Sequence, residues 1–312
     1  MYSNASLKAL SIAIRNSQFA IFHKLDLWWT RAVPPHSLAI FRLIFGSYLL
    51  FYWALRLPHV AVLYSREGII LPYWDPVTPS TAFLTPPSFW LAEILFLTFL
   101  ACLFLFTIGF FARPAALLSG FFSIYYWLLS IHLFGTSFDR LYMFFLFVLA
   151  CSGCDATFSL AIWIRRGSFF AWEPITILPQ RIMAFQISAT YFGVGWQKIV
   201  LPAWQSGHIL AYGFVGRWGS RAAYWVARLN WPLWLYKSMV EVVKAFEVTL
   251  PFGLWFRRTR LWFMAGTLIF HFSIALLLSI WWFLILVPAN ILFFEPEEIY
   301  LWLKERSGGR IA

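Results

Sequence analysis

A long apolar stretch runs from Ser88 to Phe110 and reads SFWLAEILFLTFLACLFLFTIGF. Its one charged residue is Glu93. A helix needs about 20 predominantly apolar residues to cross the hydrocarbon core of a bilayer. This stretch therefore predicts a membrane-spanning helix, and comparable apolar stretches recur along the rest of the chain.

The composition of the whole chain also indicates a membrane protein. Of its 312 residues, 61% are hydrophobic and 12% are charged, and the mean hydropathy is +0.72. Soluble domains hold roughly 45–50% apolar and about 25% charged residues. Since a soluble fold of this size needs more polar surface than this chain offers, we expect lipid to be the solvent for most of it. The predicted fold class is an all-α polytopic bundle in the membrane.

Hydropathy and length divide the chain into about eight predicted membrane spans. These are Ser37–Leu57, Ser88–Phe110, Pro114–Leu133, Phe138–Ile162, Arg181–Leu201, Lys237–Phe256 and two spans within Arg260–Phe294. The last stretch is too long for one span, and we divide it near Ser279. The segment Ala203–Tyr236 is rich in Trp and Arg and too polar to span, so we predict an amphipathic helix at the membrane interface.

Three regions follow from this division of the chain. Residues 1–33 place Leu7, Leu10 and Ile14 at helical spacing beside Lys8 and Arg15, which predicts an amphipathic interfacial segment. Residues 34–296 form the predicted membrane domain. Residues 297–312 form a predicted short cytoplasmic tail.

The distribution of Lys and Arg predicts the orientation. With the N-terminus inside, most of the basic loop residues, such as Arg165, Arg166, Arg257 and Arg258, fall on the cytoplasmic side, as the positive-inside rule requires. Both termini are then cytoplasmic. The net charge of +11 is attributed to these loops and to anionic lipid headgroups. The sequence carries no nucleic-acid-binding motif, so we expect no nucleic-acid partner.

Lys198 is the sharpest candidate for a functional residue. It lies near the end of a predicted span, in the stretch Tyr191–Trp204 (YFGVGWQKIVLPAW). A lysine at that position often extends its amine to the membrane surface. Alternatively, a dry pocket would favour the neutral amine, which could act as a base. Gly193 and Gly195 would leave room for a flat ligand beside such a pocket.

Other ionisable residues within predicted spans are candidates because charge in lipid is costly. His271 is either a hydrogen-bonded core histidine or part of a polar site. Arg42 either extends to the inner face or pairs with Glu93, Glu241 or Glu247. Further candidates for substrate-binding or structural polar roles are Asp139, Arg140 and Glu247.

Three other patterns bear on the chemistry. Glu241, Lys244 and Glu247 form a helical stripe, which suits either an ion-paired face or a polar substrate group. Cys151 and Cys154, placed on one helix face by the prediction, are either structural or a redox pair. No acidic or cysteine partner stands at metal-ligand spacing from His271, so we predict no metal site.

The order of several segments resembles the HTTM family, the membrane domain of vitamin K-dependent gamma-carboxylases. In order, the segments are Ile40–Gly46 (IFRLIFG), Leu63–Pro72 (LYSREGIILP), Asp139, Tyr191–Lys198 (YFGVGWQK), Trp204–Gly207 (WQSG), Phe246–Glu247, Arg257–Arg260 and His271. The likeness covers roughly residues 30–296. The chain looks more like the short bacterial members, similar to the sporulation-delaying protein B family, than like the carboxylases themselves. The carboxylases continue into a large domain outside the membrane.

The resemblance implies a function. It places Lys198 as the base that deprotonates a reduced quinone (vitamin K hydroquinone or menaquinol), with His271 in the same pocket. It implies that Tyr191, Gly195, Trp196 and Trp204 bind the quinone. Oxygen and CO2 would be co-substrates of a lyase-type carboxylation of a peptide or small acid.

The resemblance and the orientation together predict a protein of the bacterial cytoplasmic membrane. A peptide substrate, or a soluble partner supplying a substrate-binding domain, is expected. An alternative is a non-catalytic membrane scaffold that helps to mature a secreted peptide.

Overall fold

The computed structural model describes residues 23–69, 86–134 and 136–307, which are mostly helical. Residues 1–22 of the predicted interfacial segment and residues 308–312 of the predicted tail lie outside the described residues. Residues 23–30 are helical. Within the described part, the strands are two short ones, β1 (Ala32–Val33) and β2 (Ile175–Thr176), which pair antiparallel.

Helices account for most of the architecture. In chain order they are α1 (His36–Ala54), α2 (Val60–Tyr64), α3 (Phe89–Ile108), α4 (Ala112–Phe134), α5 (Ser137–Ala150), α6 (Leu160–Arg166), α7 (Leu178–Val200), α8 (His208–Val215), α9 (Arg221–Ala227), α10 (Leu233–Trp255), α11 (Arg260–Leu278), α12 (Leu286–Ala289) and α13 (Pro296–Arg306). Short 3₁₀ turns cover Leu57–His59, Pro202–Trp204, Trp281–Ile285 and Asn290–Phe293.

Three helical stretches are long and apolar enough to cross a membrane, among the residues that the structure describes. They are His36–Tyr64, Phe89–Ile108 and Arg260–Leu278. The first two agree with predicted spans, and the third agrees with the first half of the Arg260–Phe294 stretch. Helices α4, α7 and α10 are each 23 residues long, or roughly 35 Å at 1.5 Å per residue, but carry more polar residues.

An aromatic core joins the first four long helices. Helix α3 packs between α1 and α4, and α4 packs on α5. The rings of Phe41 and Phe45 on α1 meet that of Phe145 on α5, with centroids 5.7 and 5.8 Å apart, and all three are buried. Gly109 ends α3 in the left-handed conformation (φ 73°), which glycine adopts without steric cost.

The second half of the fold is built on the pair α7 and α10. They run antiparallel, because Lys198 near the end of α7 meets Glu247, whereas Ser188 accepts a hydrogen bond from Trp255 Nε1 at 3.0 Å near the end of α10. Gly195 permits the close approach, since a Cβ there would lie 3.0 Å from the Glu247 Cβ and the Val248 backbone nitrogen. Helix α11 packs against α10.

The predicted span Phe138–Ile162 is wrong. Helix α5 ends at Ala150, residues 151–159 form turns and bends, and α6 begins at Leu160. The side chains of Ser152 and Ser159 bond to nearby backbone groups there, which competes with helical pairing. The 14 residues of α5 extend roughly 21 Å, too little to cross a bilayer core alone.

The long apolar stretch Arg260–Phe294 does divide near Ser279. Ser279 ends α11 in the left-handed conformation (φ 56°). The second half is not one regular helix, because Trp281–Phe293 alternates between 3₁₀ turns and the four-residue α12. Among the residues that the structure describes, this stretch therefore contains one helix long enough to span, not two.

Two regions at the margins of the bundle are also helical. The segment predicted as one interfacial helix, Ala203–Tyr236, contains the short helices α8 and α9 and the beginning of α10. The predicted cytoplasmic tail begins with α13, which packs against α1. Three carboxylates at the start of α13 bind four arginines, so this region is docked on the bundle and is not a free tail. The ion pairs are Glu295–Arg31, Glu295–Arg181, Glu297–Arg31, Glu298–Arg257 and Glu298–Arg260.

Candidate functional site

A buried ion pair joins α7 to α10. The Lys198 ammonium lies 2.5 Å from both carboxylate oxygens of Glu247. The side chain of Lys198 is 13% exposed and that of Glu247 is 5% exposed. Of the two sequence hypotheses for Lys198, this geometry favours the one in which the amine turns inward. It also supplies a partner that the sequence did not assign, since the two residues are 49 positions apart.

Trp204 and Gly195 complete the surroundings of this pair. Lys198 Nζ lies 4.9 Å from the ring centroid of Trp204, within the range of cation–π attraction. Pro202 ends α7 and begins the 3₁₀ turn that carries Trp204 back over the amine. Gly195 brings the backbones of α7 and α10 together at the level of Glu247. Two of the predicted quinone-binding residues therefore do lie at the Lys198 site.

A second polar pair lies on the same face of α7. The Tyr191 hydroxyl and His271 Nε2 are hydrogen-bonded, and both residues are buried. This bond joins α7 to α11. His271 Nδ1 is buried without a hydrogen-bond partner, and the imidazole ring is stacked on Phe283 at a centroid distance of 6.3 Å. An unpaired ring nitrogen leaves His271 able to accept or donate one more hydrogen bond.

The two pairs form one cluster, which we call the polar quartet: Lys198, Glu247, Tyr191 and His271. Seven residues, or about two turns and 10 Å, separate Tyr191 from Lys198 on α7, so both side chains lie on one face. The quartet thus combines a largely buried ammonium with a buried carboxylate, phenol and imidazole on α7, α10 and α11.

An apolar groove of about 550 Å³ lies beside the quartet, between α8, α10 and α11. Ser238 and Ser273 are the hydroxyl-bearing residues of its lining. The aromatic side chains next to Glu247 and His271, Phe246 and Phe270, line the groove and also pack against the core that holds Tyr191. Their ring centroids are 5.4 Å apart. The charged atoms of the quartet do not line the groove.

The remaining predicted site residues lie elsewhere. Trp196 is 54% exposed and stacks on Phe192, so it points away from the quartet. Asp139 accepts hydrogen bonds from the backbone N–H (2.7 Å) and hydroxyl (2.9 Å) of Thr136, which makes it a capping residue of α5. Arg140 is exposed, and its guanidinium lies 5.9 Å from the Trp127 ring.

Arg42 satisfies neither sequence hypothesis. It is fully buried, so it does not reach the membrane surface. Its guanidinium donates to the carbonyls of Phe106 (3.2 Å), Thr107 (3.0 Å) and Phe158 (2.5 Å) and not to a carboxylate. These carbonyls lie at the end of α3 and in the turn after α5. Arg42 therefore caps the end of α3 and the turn after α5. A hydropathy pattern does not show that these backbone groups lie next to Arg42.

Two sequence patterns remain, the stripe on α10 and the cysteine pair, and in each the members lie in different surroundings. Lys244 is buried and pairs with the exposed Glu241 at 2.9 Å, one turn away from Glu247. The stripe on α10 is thus shared between two ion pairs. Cys151 is exposed and Cys154 is buried in the turn that follows α5, so the prediction that they share a helix face is wrong.

Sequence reasoning missed the pairings but named the four members of the quartet. No group of three or more His, Cys, Asp or Glu side chains that could hold a metal ion occurs among the described residues. Comparison of the chain with protein families, with curated proteins and with solved structures finds no match.

Proposed function

We propose that this chain is an integral membrane enzyme that removes a proton from an apolar acidic substrate, a reduced quinone, with Lys198 as the base. The observation that carries the proposal is the polar quartet, buried among apolar helices. Ionisable groups are costly in such surroundings and most often serve ion, proton or substrate chemistry. The HTTM resemblance, which is part of the proposal, supplies the reaction class.

The Lys198–Glu247 pair can present a neutral amine. Transfer of one proton from the ammonium across the 2.5 Å hydrogen bond to a Glu247 oxygen leaves an uncharged lysine and an uncharged acid. Neither product then carries an unpaired charge in the bundle. The amine can accept the proton of a hydroquinone O–H, while Tyr191 and His271 supply hydrogen bonds to a substrate oxygen.

The groove fits the apolar part of such a substrate. Its volume of about 550 Å³ lies within the roughly 300–1,000 Å³ of small-molecule sites. Phe246 and Phe270 line the groove and are the neighbours of Glu247 and His271 in the chain, so on this proposal the substrate ring displaces one of these rings to reach Lys198. Gly195 and Trp204 border the amine and would contact the ring once it enters.

The proposal also specifies which helices cross the membrane and on which side the termini lie. Helices α4, α7 and α10 would cross the membrane with the three apolar stretches, and shorter helices would complete a bundle of about eight passes. Both termini would face the cytoplasm of a bacterial cell. O2 and CO2 would be co-substrates, and a peptide or small acid, held by the chain or by a soluble partner, would be the acceptor.

A non-catalytic scaffold is the second candidate. The Lys198–Glu247 pair and the Trp204 ring tie the end of α7 to α10, as a structural clamp would. In that case the pair stabilises the bundle that holds a partner, and its chemistry is not used.

The deciding experiment measures quinone epoxide. Protein purified in lipid is incubated in air with vitamin K hydroquinone or menaquinol, and the epoxide is measured by mass spectrometry. We expect epoxide from wild type and none from Lys198→Ala. Lys244→Ala is the matched control, because it removes a buried lysine of the neighbouring ion pair. Absence of epoxide from wild type with both quinols would contradict the proposal and favour the scaffold.

A further inference from the structure

A second groove lies at the other margin of the bundle, between α1, α11 and α13, and has a volume of about 750 Å³. Its walls are apolar, and they include Ile44, Leu261 and Met264. Four charged residues also line the groove, Arg257, Arg260, Glu298 and Glu305. The first three meet where the beginning of α13 contacts the start of α11, and Glu305 lies about two turns further along α13. The groove therefore combines an apolar wall with charged residues along α13.

The change from polar to apolar follows the axis of α11. Arg260 is the first residue of the helix, Leu261 follows it, and Met264 lies about 6 Å further along. In the proposed topology α11, which is long and apolar enough to cross a membrane, enters it from Arg260, and the groove would run from the membrane surface towards its interior. A phospholipid changes from headgroup to acyl chain in the same direction.

The charged residues of the groove differ in how far they are already ion-paired. Glu298 pairs with Arg260 at 2.8 Å and with Arg257 Nε at 3.0 Å. The side chain of Arg257 is 84% exposed, so its guanidinium is open to a further partner besides Glu298. Glu305 is exposed and makes no ion pair within the described residues. One guanidinium and one carboxylate are thus left to face a ligand.

We propose that this groove binds one phospholipid with an amine-bearing zwitterionic headgroup. Its phosphate accepts hydrogen bonds from Arg257, which matches phosphate geometry well. Its ammonium pairs with the Glu305 carboxylate, and an acyl chain lies along Leu261 and Met264. Trp302, half-exposed on α13, is an aromatic of the kind that favours the headgroup level. An anionic lipid such as phosphatidylglycerol carries the same phosphate but no ammonium, so it leaves Glu305 without a partner.

The test is native mass spectrometry of the full chain in detergent, with phosphatidylethanolamine and phosphatidylglycerol added in equal amounts. We expect wild type to retain phosphatidylethanolamine preferentially. Glu305→Gln should lower its retention roughly two- to fivefold, the range of a single exposed ion pair. Glu305→Lys should reverse the preference. Arg257→Gln should lower the retention of both lipids, since both carry the phosphate.

Glu67→Gln is the matched control, because Glu67 is an exposed carboxylate far from the groove, paired with Arg66. It should retain both lipids as wild type does. Equal retention of the two lipids by wild type, or a preference unchanged by Glu305→Gln, would overturn the proposal. Thermal unfolding of each variant in the same detergent verifies that the compared proteins are folded.

Discussion

At the residue scale, Lys198 and Glu247 depend on each other. Both are largely buried, so removing one leaves the other as an unpaired charge, which costs about 3–5 kcal/mol in a protein interior. Removing both leaves no buried charge. We therefore expect Lys198→Met and Glu247→Leu each to lower the thermal unfolding temperature strongly, and the double variant to recover most of the loss.

Thermal unfolding of the four proteins in one detergent measures this coupling. The pair Lys244→Met and Glu241→Leu is the control, since Glu241 is half-exposed and its loss leaves less charge buried. Additive effects of the two changes at Lys198 and Glu247 would show that the two side chains do not interact in the folded protein.

Residue types were predictable at this site, and their pairing was not. Lys198 and His271 stood out because ionisable groups are rare in apolar segments. Nothing in the local sequence connects Tyr191 with His271, 80 positions away, because their contact depends on how α7 and α11 pack. Arg42 was wrongly expected to need a carboxylate or water, because backbone carbonyls at helix ends leave no trace in side-chain patterns.

At the element scale, α13 is held to the bundle by ion pairs that depend on pH. The hydrogen bond that Arg31 donates to Glu297 contributes most to raising the pKa of Arg31 above its usual value. Burial acts to raise the pKa of Glu297, but the hydrogen bond from Arg31, a backbone hydrogen bond and the nearby arginine charges outweigh it. The pKa of Glu297 is therefore lower than its ordinary value of 4.5.

A carboxylate with a lowered pKa stabilises the fold above its ordinary pKa, and this contribution is lost as the pH falls through the lowered value. We expect the unfolding temperature of wild type to fall between about pH 6 and pH 3. The unfolding temperature of Glu297→Gln should be lower than that of wild type at the upper end of this pH range, and it should fall less as the pH is lowered. Parallel titration curves for the two proteins would mean that Glu297 does not hold α13 in place.

Elements were predictable where an apolar run had clear ends. Helices α1 and α3 match their predicted spans because Pro35 and Gly109 bound them. The break after Ala150 was missed because Phe158, Leu160 and Ile162 keep the hydropathy high across a turn. The helix end at Ser279 was predicted only because the segment is too long for one span. Its residue type gave no signal, since a left-handed helix end is usually glycine or asparagine.

At the scale of the whole molecule, three helical stretches support insertion in a membrane, and the proposed topology adds an orientation. It places the α8–α9 region outside the cell and the turn after α6 inside. A variant without native cysteines should accept an impermeant maleimide in intact cells at Arg217→Cys. The matched variant Arg165→Cys should react only after lysis. The reverse pattern would contradict the orientation.

We propose that the Lys198 amine accepts a proton from the substrate. The test is the rate of quinone epoxide formation by Lys198→Ala with a small primary amine, such as methylamine, added to the lipid-embedded protein. We expect the added amine to restore turnover in proportion to its concentration and to leave wild type unchanged. An inactive but folded Lys198→Ala that no amine restores, beside an active wild type, would contradict the role of Lys198 as the base.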